Sequence, residues 1–70
     1  MNTIDARGLA CPEPVILTQK ALSSKADEYT ILVDNYAAKE NVTRFAEHSG
    51  YKVSVTESSG EFTLTLSANI

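Results

Sequence analysis

Hydrophobic and polar positions change their period several times along the chain, and each change marks an element. Residues 2–6 (Asn-Thr-Ile-Asp-Ala) predict a short strand that ends at the turn signal Arg7-Gly8. Over residues 12–26 the period becomes helical, with Pro14, Leu17, Thr18, Ala21 and Leu22 on one face. Residues 28–34 form a run rich in β-branched side chains, the pattern of a central strand. Asp34 and Asn35 are two candidate N-caps for a second helix, whose inner face collects Ala38, Val42, Phe45, Ala46 and Ser49. On its outer face Glu40 precedes Arg44 by one helical turn, the favoured order for an exposed ion pair. Gly50 suits the position that stops this helix. Strict alternation then returns: Tyr51, Val53 and Val55 against Lys52, Ser54 and Thr56, and Phe62, Leu64 and Leu66 against Thr63 and Thr65. Ser58-Ser59-Gly60 between them reads as a hairpin turn.

The order is βαβαββ, which predicts an α+β fold: a two-layer α/β sandwich in which two helices pack on one face of a four-stranded mixed sheet. The first two strands are expected to be parallel, because a helix-sized crossover joins them. Seventy residues, 1–70, make a single domain, either free-standing or the N-terminal domain of a longer chain. A domain this small has no room for a deep site, so its chemistry belongs on the surface or is completed by a partner.

Composition narrows the function classes. Hydrophobic residues make up 43% and charged residues 21%, and no apolar run approaches the length of a membrane span. The N-terminus lacks the basic stretch and apolar core of a signal peptide, and a secreted domain of this size would carry several cysteines rather than one. A cytoplasmic location follows as the expectation. The net charge is −3 and six Lys and Arg residues are scattered singly, which argues against nucleic acid as the main partner. One Cys and one His do not make an ordinary structural metal site, so His48 reads as a solvated side chain. No cofactor motif is present, and Tyr29, Tyr36 and Tyr51 read as shields for the sheet ends.

The chemistry concentrates in Cys11-Pro12-Glu13-Pro14. Two prolines are tolerated at a helix start because the first amides have no intrahelical acceptor. Pro12 suits the first helical position, which makes Cys11 the N-cap in the extended conformation that a residue before proline prefers. A lone cysteine is often a buried small hydrophobe, yet this one occupies a cap usually filled by Ser, Thr, Asp or Asn. The positive end of the helix dipole favours its thiolate, by about 0.3–1 kcal/mol at an exposed site. The Glu13 carboxylate opposes ionisation and Arg7, if it folds back, supports it. Asp5 is expected to brace the loop by accepting backbone amides, and Gly8 to supply a positive φ or a close approach.

The run Asp5-Ala6-Arg7-Gly8-Leu9-Ala10-Cys11-Pro12-Glu13-Pro14 resembles the signature of the TusA/SirA family of small sulfur-carrier (sulfurtransferase) proteins: an Asp, Gly-Leu, then Cys-Pro-x-Pro. Asp34-Asn35, Ala37-Ala38, Asn41-Val42, Phe45 and Gly50-Tyr51 resemble its second half, particularly in the YedF-like subgroup. The resemblance implies a sulfur relay. Cys11 accepts a sulfane sulfur as a persulfide from a cysteine desulfurase or another persulfide donor, then passes it to an acceptor protein. Asp5, Arg7, Gly8, Leu9, Pro12, Glu13 and Pro14 support it. Asp34-Asn35-Tyr36 departs from the Asp-Asp-Pro of many members, so the tRNA-thiolation role of the best-known ones does not transfer. A selenium-handling role of the same cysteine and a non-catalytic regulatory or RNA-interaction module stay open as alternatives.

Overall fold

The structure is a computed structural model, and it describes residues 3–9, 13–24 and 26–68. Its elements are β1 (Thr3–Asp5), α1 (Glu13–Leu22), β2 (Glu28–Val33), α2 (Tyr36–His48), β3 (Tyr51–Ser58) and β4 (Glu61–Ala68). The four strands form one mixed sheet in the order β1-β2-β4-β3, with β1 parallel to β2 and the other neighbours antiparallel. This is the expected α+β sandwich. α1 lies over β1 and β2, α2 lies over β3 and β4, and the two helices pack against each other.

Register puts the inward side chains in rows. Tyr29 faces Leu66, Ile31 faces Leu64 and Val33 faces Phe62 across the β2–β4 ladder. Tyr29, Ile31, Val33, Leu64 and Leu66 are buried, and so are Ala38, Val42 and Ala46 of α2. These helix positions are small, which lets the α2 backbone approach the sheet closely. On α1 the contact face is Pro14 and Thr18, both buried, with the Thr18 hydroxyl satisfied by the Pro14 carbonyl at 2.9 Å. The opposite face of the sheet carries Thr3, Thr30, Thr65 and Ser54 in one row, β-branched or small and polar, as an uncovered face requires.

Several boundaries differ from those the pattern predicts. α1 ends at Leu22 rather than near residue 26, because the hydroxyls of Ser23 and Ser24 turn back onto the carbonyls of Lys20 and Ala21 at 2.6 and 2.8 Å. The β3–β4 turn is Ser59-Gly60 alone, since Ser58 pairs with Glu61. Both turn residues have positive φ, +53° and +81°, the type I′ geometry that matches strand twist. Ser49 leaves the inner face of α2 and caps its end, where its hydroxyl bonds the Phe45 carbonyl at 3.0 Å. Val55 is 41% exposed despite its alternating position, because the hairpin runs on into an exposed stretch, residues 54–61.

Two surface expectations also need correcting. The ion-pair partner of Glu40 is Lys39 at 2.9 Å, and Arg44 acts on Glu40 only at longer range. Tyr29 and Tyr51 do close one sheet end: their rings meet edge-on at 5.8 Å, and their hydroxyls bond the Ala26 amide and carbonyl. Tyr36 does not shield the sheet. It is 65% exposed, with the Lys39 ammonium 4.2 Å from its ring centroid.

Two substitutions test this packing. Leu64→Ala is expected to cost about 2–5 kcal/mol in urea unfolding, a large share of the stability of so small a domain; a loss below about 1 kcal/mol would contradict the burial described. The Oγ1 atom of Thr43 is buried without a hydrogen-bond partner. Thr43→Val keeps the branched shape and removes the orphaned hydroxyl, so stability is expected to hold or rise by up to about 1 kcal/mol.

Candidate functional site

β1 and β2 run side by side and end together, so the two loops that follow them meet at one end of the sheet. β4 starts at the same end, because it runs antiparallel to β2. Ala6 extends the ladder by one more bond, its amide donating to the Leu32 carbonyl at 2.8 Å. After Ala6 the chain leaves the sheet, and the amides of Arg7 and Gly8 need acceptors from elsewhere.

Carboxylates provide them. Asp5 accepts the Arg7 amide at 3.1 Å and is gripped by the Arg7 guanidinium through Nε and Nη2 at 2.9 and 2.8 Å. Asp5 thus accepts one backbone amide, from two residues away. Arg7 also reaches Glu61 at the start of β4, with Nη1 3.2 Å from the carboxylate. Its charge is matched by two carboxylates rather than left to the cysteine loop. The Gly8 amide donates to Asp34 Oδ2 at 2.8 Å, across from the end of β2. Gly8 holds φ at +81°, and open space surrounds the place a Cβ would occupy, so backbone conformation rather than crowding calls for glycine here.

Asp34 is not the N-cap of α2. Asn35 takes that role, its side-chain oxygen accepting the Ala38 amide at 2.7 Å, and its side-chain nitrogen lies 3.4 Å from Asp34 Oδ1. A chain of polar contacts thus runs from the first loop through Asp34 and Asn35 to the start of α2.

Cys11 and Pro12 lie outside the described residues, and with them the expected N-cap. Ala10 lies outside them too, and Leu9 and Glu13 are the described residues on either side. Leu9 packs against the core, Glu13 opens α1 with its side chain exposed, and Pro14 is buried. The segment that carries Cys11 is thus flanked on each side by a residue anchored in the core. Reading the sequence missed Asp34 and Glu61 as parts of this loop's support: the first looked like a cap, and the second follows a hairpin turn with no motif of its own.

Elsewhere an open groove of about 400 Å³ is lined by Val15, Asn41, Arg44, Phe45 and His48. His48 is exposed, as expected. Among the described residues no group of three His, Cys, Asp or Glu side chains is placed to hold a metal ion, and no helix is long and apolar enough to cross a membrane.

Comparison with known proteins bears on this geometry. The family described as sulfurtransferase TusA matches residues 2–68. A protein of Methanocaldococcus jannaschii, named as a candidate sulfur carrier, is 41% identical over 59 residues, which are 81% of this chain and 79% of that protein. The crystal structure of a SirA-like protein from Desulfitobacterium hafniense is similar with a TM-score of 0.88 and 36% identity, covering 100% of both chains.

The Asp5–Arg7 pair has a pH signature. Hydrogen bonds from the Arg7 side chain, then from its amide, hold the Asp5 carboxyl down at about 2, below its ordinary 3.8. A depressed carboxyl stabilises the fold above its unfolded value, and that contribution is lost as pH falls toward 2. Stability is thus expected to drop between about pH 4 and pH 2, with a shallower drop in Asp5→Asn. Urea midpoints across this range check it, and identical acid slopes in the two proteins would refute it.

Proposed function

The chain belongs to the sulfurtransferase TusA family, and we propose that its only cysteine, Cys11, carries a sulfane sulfur as a persulfide between partner proteins. The observation that carries this reading is the family match, which runs over residues 2–68 and contains that cysteine. The start of α1 at Glu13 supports it, because Cys11 precedes a helix N-terminus by two positions. Unpaired amides at a helix start favour negative charge nearby, and a thiolate is the form that attacks.

The reaction needs no external oxidant or reductant. The Cys11 thiolate attacks the terminal sulfur of a donor persulfide, the donor's S–S bond breaks, and its electron pair leaves on the donor cysteine as a thiolate. Cys11 now holds the sulfur in a persulfide. In the second half an acceptor nucleophile attacks that terminal sulfur and Cys11 is released as thiolate. The donor is a cysteine desulfurase or another persulfide-bearing protein, and the acceptor is a downstream protein. A thiol kept reduced in the cytoplasm suits both halves.

Incubation with a cysteine desulfurase and cysteine, followed by intact-mass measurement, tests the reading. Wild-type protein is expected to gain the mass of one sulfur atom, which dithiothreitol removes. Cys11→Ala is expected to gain none. Equal labelling of wild type and Cys11→Ala, or no adduct from any persulfide donor, would sink the proposal.

A further inference from the structure

We propose that Asp34 is a positioning residue for sulfur transfer: its carboxylate, by accepting the Gly8 amide, fixes the loop that continues to Cys11. This rests on the reading of Cys11 as the sulfur-bearing nucleophile. Three observations carry it. The Gly8–Asp34 bond is short, 2.8 Å, and spans 26 positions of sequence, so it joins two separate loops. Asn35 caps α2, which leaves Asp34 Oδ2 without a role in that helix. And it differs in kind from the tie of Asp5, which takes the neighbouring Arg7 amide and sits on the loop's own strand, whereas Asp34 fastens Gly8 to the end of β2, an inner strand of the sheet.

The loop is held at Gly8 by Asp34 beyond the end of β2 and at Leu9 by the core. Small misplacements of a reacting atom are costly, on the order of a hundredfold in rate for about 1 Å. The bond matters through its oxygen acceptor rather than through the charge on Asp34, because an amide needs only a lone pair. Asp34→Asn keeps such an oxygen, and Asp34→Ala does not.

Both variants are to be compared with wild type in two assays: persulfide formation from a desulfurase, and alkylation of Cys11 by iodoacetamide over the pH range in which a thiol ionises. Asp34→Ala is expected to slow persulfide formation about tenfold or more, and Asp34→Asn to restore most of that loss. The alkylation profile is expected to change in Asp34→Ala and to match wild type in Asp34→Asn. Wild-type rates in Asp34→Ala, or equal defects in both variants, overturn the positioning role while leaving the carrier function intact. If wild type accepts no sulfur from any donor, the carrier function fails, and the alkylation profiles alone decide the role of Asp34. Should Asp34→Ala not fold, amide exchange in the wild type decides. The Gly8 amide is expected to exchange at least about tenfold more slowly than in an open chain, and exchange at the open-chain rate refutes the proposal.

Discussion

β2 is the strand on which the other elements depend. It pairs with β1 on one side and β4 on the other, and its inward residues Tyr29, Ile31 and Val33 are the centre of the buried cluster. Its partners differ in direction, parallel and antiparallel, and that difference determines where the loops fall. A parallel neighbour ends where β2 ends, and an antiparallel neighbour begins there. Three chain segments that are remote in sequence therefore converge at the carboxyl end of β2. Asp5, Asp34 and Glu61 mark the three.

That convergence supplies acceptors to the first residues after β1. Arg7 and Gly8 donate two successive amides after the ladder has ended, and each finds a carboxylate on a different strand end. Arg7 then bridges two acids, so the acidic groups brought together here do not simply repel each other. Each contact is solvent-exposed and individually weak. Their joint effect is geometric: they hold Arg7 and Gly8 at the start of the segment between β1 and α1. In the proposed function that segment presents the reacting sulfur.

Period in the sequence was enough to read the order of the elements, the strand directions and most of the core. The alternation of Leu64 and Leu66 and the helical spacing of Ala38, Val42 and Ala46 are local signals, and burial follows them directly. The support from Asp5 was readable for the same reason, since it acts on Arg7 two residues away. Asp34 and Glu61 were not, because their targets lie 26 and 54 positions off and are specified only by strand register. Local polar competition was the other blind spot. Ser23 and Ser24 end α1 early by bonding its last carbonyls, and Glu40 takes Lys39 beside it in place of Arg44 a turn away.

The proposed relay also explains why a surface arrangement suits this fold. Transfer of sulfur between two thiolates requires alignment of three sulfur atoms, and most of the groups that enforce alignment can come from whichever partner is bound. A carrier has to fit two partners in turn, so an enclosed pocket built for one would obstruct the other. Ordering a mobile loop on binding would cost about 0.5–1.5 kcal/mol for each immobilised side chain, and a relay would incur that cost twice per cycle. In the proposed relay, carboxylates that already bond the Arg7 and Gly8 amides in the free protein lower that cost in both halves of the reaction. In the proposed function the polar ties at the end of β2 serve the transfer chemistry as well as the fold.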